Sequence, residues 1–170
     1  MNARHDVLRR AERVRLLVLD VDGVLTDGRL YFSAQGEEIK CFHVRDGAGI
    51  VALCAAGIEI AIISGRDSPA VTYRMRELGV QRVHQGVADK PLALREMLSS
   101  LSLDASAVAC IGDDVPDLGL LESVGLAVAV ADAHPLVRER AHVVTRLPGG
   151  KGAVREVCDM LLEARARATR

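Results

Sequence analysis

The chain has 170 residues, 49% of them hydrophobic, with no Trp, two Tyr and two Phe, so its core must be built from aliphatic side chains. That length suits a single domain over residues 1–170, able to bury on the order of 70% of its unfolded surface without a disulfide or a structural metal. Its 22 Lys and Arg balance 23 Asp and Glu for a formal net charge of −1, which excludes the basic excess that nucleic-acid and polybasic membrane proteins need.

The segment Met1–Arg15 is charged throughout and carries no signal-peptide apolar region. The longest apolar windows, Ile58–Ser64 and Leu126–Ala131, are too short to span a bilayer. Cys41, Cys54, Cys110 and Cys158 lie far apart without a CxxC pair; they read as reduced thiols, three of them inside apolar segments. A soluble, cytoplasmic protein is expected.

Along the chain, short aliphatic runs alternate with amphipathic segments. Strands are expected at Arg15–Asp20, Ile58–Ser64, Val108–Gly112 and Leu126–Val130, and helices at Asp46–Ala56, Ser68–Leu78, Pro91–Leu101, Asp117–Val124, His134–Arg140 and Gly152–Ala166. Near-continuous apolar strands imply burial on both faces. This is an α/β chain with a Rossmann-like parallel sheet and helices on both faces. One segment breaks the alternation: residues 29–42 read as a β-hairpin around a turn containing Gly36, and they hold Tyr31, Phe32 and Phe42. A lone hairpin displaying aromatics needs something to pack against.

Ligands of open α/β sheets bind beyond the carboxyl ends of the strands, so the residues closing each strand belong together. The first strand closes in Asp20-Val-Asp22-Gly-Val-Leu-Thr26-Asp27-Gly28 and the second in Ser64-Gly65-Arg66. Lys90 opens a helix, and the strand at Cys110 runs into Gly112-Asp113-Asp114-Val-Pro-Asp117. Taken singly, Asp and Gly are ordinary turn residues and Ser64 can cap a helix. Residues i and i+2 of a strand point the same way, so Asp20 and Asp22 are expected to face one group. Gly150-Lys151 fails as a phosphate-binding loop because Thr145 and Gly152 stand where Gly and Ser or Thr are needed.

The full set resembles the haloacid dehalogenase-type phosphatase superfamily. The resemblance implies an Asp20 nucleophile that becomes an aspartyl phosphate, with Asp22 as general acid and then base. Close carboxylate–phosphate pairs repel by about 4 kcal/mol at an effective dielectric near 20, so a cation is required. The resemblance supplies Mg²⁺ on the Asp20 side chain, the Asp22 backbone carbonyl and Asp113. It also implies Lys90 as the counter-charge to Asp20 and a phosphoryl oxygen, with the Ser64 hydroxyl and the Gly65 N–H holding other oxygens. Asp114 and Asp117 either orient the metal shell or Lys90, or, for Asp117, begin a helix.

From about Arg13 to Leu162 the chain is similar to the 3-deoxy-D-manno-octulosonate 8-phosphate phosphatase family. The stretches that carry this are Asp20–Gly28, Phe42–Gly47, Ser64–Arg66, Val128–Pro135 and Gly149–Glu156. That family removes phosphate from an eight-carbon sugar acid on the route to lipopolysaccharide, lacks a cap domain, and assembles through its hairpins into a homotetramer. The C-terminal segment of one subunit reaches toward another's active site, so the glycine-rich stretch after Pro148, within a tail of about 147–170, is expected to act as a flexible lid. The resemblance makes Thr26, Gly65, Arg66, Arg74 and Lys151 substrate-binding candidates, a guanidinium gripping the sugar carboxylate bidentately. Arg74, Lys151 and Arg155 read equally as solvated surface residues. His43, His84, His134 and His142 do not cluster and read as packing or capping groups. A sialic-acid-type 9-phosphate phosphatase tends to carry an acidic residue where Arg66 stands. A catalytically idle oligomerisation domain of this fold would not need Asp20, Asp22, Ser64, Lys90 and Asp113 together.

Overall fold

The computed structural model describes residues 3–168. Its elements, in chain order, are α1 (Ala3–Arg13), β1 (Leu16–Leu19), β2 (Tyr31–Phe32), β3 (Glu38–Ile39), α2 (Val44–Ala55), β4 (Glu59–Ile63), α3 (Pro69–Glu77), β5 (Arg82–His84), α4 (Lys90–Leu101), β6 (Val108–Gly112), α5 (Leu118–Ser123), β7 (Leu126–Ala129), α6 (Pro135–Arg140), β8 (Val143–Val144) and α7 (Ala153–Ala168). Short 3₁₀ turns precede β6 and α5.

Six strands form an all-parallel sheet in the order β5-β4-β1-β6-β7-β8. The chain moves outward from β1 through β4 to β5, then crosses back to β6 on the other side. The reversal at β1 and β6 creates the crevice in which sheets of this kind bind ligands. β1 sits at the centre, and Leu16, Leu17, Val18 and Leu19 are all buried, as strands covered on both faces must be. α1 and α2 pack with α7, and α4 and α6 flank α5, so helices cover both faces. The core that joins these layers is aliphatic, and its largest wholly buried members are Leu, Ile and Met.

The expected α/β architecture without a cap is present, with several differences of detail. The hairpin pairs only Tyr31 with Ile39 and Phe32 with Glu38, so it is far shorter than residues 29–42. α1 forms from the charged N-terminal segment, where Asp6 accepts from Arg9 and Arg10, both at 2.8 Å. Cys54 is exposed although it lies in an apolar stretch; only Cys110 and Cys158 are buried.

The stretch after Pro148, expected to act as a flexible lid, is docked against the turn after β1 in this structure. Gly149 N–H donates to Asp132 Oδ1 at 2.9 Å and Gly150 N–H to the Val24 carbonyl at 2.9 Å. A Cβ on Gly149 would lie 1.7 Å from the Gly23 carbonyl, so only glycine allows so close an approach. Most of the remaining tail is α7, whose Val154, Val157, Cys158, Leu161 and Ala164 are buried.

Candidate active site

β1 stops at Leu19, and the chain then enters a tight turn. The N–H groups of Val24, Leu25 and Thr26 all donate to the Val21 carbonyl, at 3.2, 2.9 and 3.1 Å. The buried Thr26 hydroxyl locks this turn: it accepts from Gly28 N–H at 3.2 Å and Gly23 N–H at 3.4 Å, and donates to the Val21 carbonyl. Thr26, a substrate-binding candidate by sequence, therefore has its hydroxyl engaged within the loop. Strand alternation has also ended before Asp22, so it does not relate Asp20 to Asp22 as the i, i+2 spacing suggests. The turn and its neighbours set where Asp22 points.

Asp20, one residue past β1, is buried and faces Lys90 at the start of α4. Lys90 Nζ donates to Asp20 Oδ1 at 2.9 Å and to Asp117 Oδ1 at 2.6 Å. The other Asp117 oxygen accepts from the N–H groups of Asp113 and Asp114, at 3.0 and 3.3 Å. Asp117 thus holds Lys90 and closes the loop after β6, and it also stands at the start of α5. Lys90 itself is placed by its helix: Asp89 is the N-cap, accepting from Leu92 N–H at 2.8 Å. Burial opposes charge on Lys90, but the Asp20 and Asp117 carboxylates outweigh it and hold the ammonium above its ordinary pKa.

One cation does not balance this cluster. Carboxylate oxygens of Asp20, Asp113 and Asp117 lie within 4.8 Å of one another. Burial, and then the charge of Asp117, push Asp20 up to about 6. Burial, and then the charges of Asp20, Asp117 and Asp114, push Asp113 up to about 8. Asp113 Oδ1 is buried without a hydrogen-bond partner, while both Asp117 oxygens are already engaged. Gly23, at φ +91°, makes room for the Asp113 carboxylate, whose Oδ2 a Cβ there would meet at 2.0 Å. An all-oxygen set with excess negative charge and an unpartnered buried oxygen fits a hard divalent cation held by Asp20 and Asp113.

Asp22 lies outside this group. Its Oδ1 pairs with Lys40 Nζ, and its Oδ2 is 3.6 Å from Arg66 Nε. Arg66 Nη2 also reaches Glu38 Oε1 at 2.6 Å. Of the other sequence candidates, Ser64 is buried beyond β4 with Oγ accepting from Arg66 N–H at 3.4 Å, and Gly65 is exposed beside it. Arg74 is not brought to this set: it pairs with Glu77 at 2.7 Å and packs over Gly47 of α2. Lys151 is exposed in the docked loop. His43 and His134 cap α2 and α6, and His142 Nδ1 accepts from Ala127 N–H. Sequence reasoning missed Lys40 and Glu38: they flank Ile39, but β3 is only two residues long, too short to leave an alternation that could be read.

Residues 83–155 match the haloacid dehalogenase-like hydrolase family. The 3-deoxy-D-manno-octulosonate 8-phosphate phosphatase of Yersinia pestis is 51% identical over 159 residues, covering 94% of this chain and 85% of that protein. The chain belongs to this phosphatase family. A structure of the Moraxella catarrhalis phosphatase in complex with magnesium, phosphate and the sugar acid matches with a TM-score of 0.94 at 39% identity, covering 96% of this chain and 94% of that one. The cobalt-bound phosphatase of Haemophilus influenzae matches with a TM-score of 0.89 at 42% identity, covering 94% of each chain. Among the described residues no helix is long and apolar enough to cross a membrane.

Proposed function

We propose that the chain, working as a single domain, hydrolyses 3-deoxy-D-manno-octulosonate 8-phosphate to the sugar acid and phosphate, in lipopolysaccharide precursor synthesis, with Mg²⁺ as cofactor. The observation that carries this reading is the buried Lys90–Asp20 pair beside the unpartnered Asp113 oxygen, at the carboxyl ends of β1 and β6.

On this reading an Asp20 carboxylate oxygen attacks phosphorus, and the bond from phosphorus to the sugar oxygen breaks as the Asp20–phosphorus bond forms. Asp22 gives its proton to the leaving alkoxide oxygen. It then takes a proton from the water that attacks the aspartyl phosphate, which frees Asp20 and inorganic phosphate. Lys90, held by Asp117, offsets the charge on Asp20 and on a phosphoryl oxygen, while the Ser64 hydroxyl and Gly65 N–H donate to the other oxygens. When bound to Asp20, Asp113 and the Asp22 carbonyl, Mg²⁺ supplies the positive charge that lets a phosphate dianion approach these carboxylates.

Arg66, already holding the Glu38 carboxylate in the free chain, is the candidate for the sugar-acid carboxylate. Arg74 is taken up by Glu77 and Lys151 is exposed in the docked loop, so any substrate contact from either would have to form on binding or assembly. We further infer a homotetramer joined through the hairpin, supported by its exposed Leu30, Tyr31, Phe32 and Ile39. Four free cysteines suit a cytoplasmic protein.

A phosphate-release screen across sugar-acid phosphates, with and without Mg²⁺, tests this. The eight-carbon 8-phosphate is expected to turn over only with the metal, and Asp20→Asn to lose at least about 10³-fold, the scale of losing a nucleophile. Preference for a nine-carbon 9-phosphate would overturn the substrate, and an active Asp20→Asn would overturn the covalent route.

A further inference from the structure

The hairpin contributes more than an apolar surface. Ile39 points outward and is 55% exposed, whereas its neighbours Glu38 and Lys40 turn inward over the ends of β1 and β4. The Lys40 side chain is only 2% exposed. Its Nζ pairs with Asp22 Oδ1 and lies 3.4 Å from Glu38 Oε1. Arg66 completes a ring of two cations and two carboxylates through Glu38 Oε1 at 2.6 Å and Asp22 Oδ2 at 3.6 Å.

The two contacts to Asp22 differ in kind. Lys40 is enclosed, and an enclosed ammonium is tolerated only where carboxylates compensate it, so its pairing is a fixed part of the fold. Arg66 is 47% exposed and sits farther from its Asp22 oxygen; its pairing is exchangeable with solvent or ligand. The turn after β1 leaves Asp22 without a strand to dictate its direction, so the hairpin lysine takes over that task.

We propose that Lys40 is a positioning residue for the phosphatase reaction: it pins Asp22 Oδ1, leaving Oδ2 aimed at the leaving oxygen to deliver the proton. Lys40 does not touch the reacting atoms; it acts through Asp22. The hairpin is thereby part of the catalytic apparatus of its own chain. This inference rests on the acid role given to Asp22 above.

The test compares kcat/KM for two esters in the same protein sample, because that constant reports phosphoryl transfer to Asp20 and its ratio does not depend on the folded fraction. The sugar-acid 8-phosphate is a primary alkyl ester whose alkoxide needs a proton to leave, whereas p-nitrophenyl phosphate releases a stable phenolate that does not. In Lys40→Met, kcat/KM is expected to fall at least about tenfold more for the alkyl ester than for the aryl ester, as loss of oriented acid catalysis requires. Lys40→Arg, which keeps the cation, is expected to recover most of the alkyl activity, and it carries the comparison should Lys40→Met fail to fold. An equal loss for both esters would mean that Lys40 serves folding or phosphoryl binding instead, and no loss would mean that it is idle; either result overturns the proposal. A wild-type chain inactive on the alkyl ester would refute the proposed function itself, which is a separate outcome.

Discussion

Asp113 lies half-buried among other carboxylates, with one oxygen that has no hydrogen-bond partner. Its carboxyl is held up to about 8 by burial and by its acidic neighbours, against an ordinary value near 3.8. Between those values the folded chain keeps a proton that the unfolded chain has released, so without metal the fold loses stability as pH rises through that window. Asp20, held up to about 6, acts in the same direction over a narrower range. Melting in a chelator is therefore expected to fall between pH 5 and pH 8. Mg²⁺ at pH 8 is expected to restore about 3 °C or more, the shift that roughly 1 kcal/mol gives in a domain of this size. Asp113→Asn should flatten both the pH slope and the Mg²⁺ response in the same melts; an unchanged response would remove Asp113 from the metal. Asp20, Ser64, Lys90 and Asp113 were legible in the sequence because each stands just past a recognisable strand or opens a recognisable helix. Lys40 was not, because one charged residue beside a two-residue strand leaves no periodic signal.

At the level of elements, the central strands were readable because wholly buried aliphatic runs such as Leu16–Leu19 and Glu59–Ile63 stand out from their surroundings. β5 and β8 did not stand out. They are edge strands of three and two residues, half-exposed and mixed with Arg82, His84 and His142, and their pairing is settled by the neighbouring strand. α1 escaped notice because its charged surface outweighs its few core contacts, such as Ala11 and Val7. The docking at Gly149 was not legible because glycine serves close approach as readily as flexibility. Gly149→Ala separates the two. Its Cβ would collide with the Gly23 backbone, so urea unfolding should show a loss of about 1–3 kcal/mol, as overpacking does, together with impaired turnover. A free lid would tolerate alanine with no change in stability.

For the molecule as a whole, the sheet is covered by helices on both faces, and the hairpin presents a cluster of apolar side chains close together in sequence, although other exposed apolar residues, such as Val44 and Tyr73, lie elsewhere on the surface. Phe32 is 58% exposed there, next to Leu30, Tyr31 and Ile39. Sedimentation of the intact chain is expected to show a tetramer, and the double variant Phe32→Glu, Ile39→Glu to shift it to smaller species. A wild-type monomer with full activity would refute assembly as a requirement. The Gly150 N–H that reaches the Val24 carbonyl sets an order of events during synthesis. β1, β4 and β5 can pair while the rest of the chain is still being made, but Asp113 arrives only with the loop after β6. The clamp on the turn that follows Asp20 arrives later still, as a contact of long sequence separation that closes slowly. If Asp113 and this clamp serve the proposed reaction, a nascent chain that has released Asp20 and Asp22 onto a half-built sheet is expected to cleave no phosphate ester until the stretch at Gly150 has also been made.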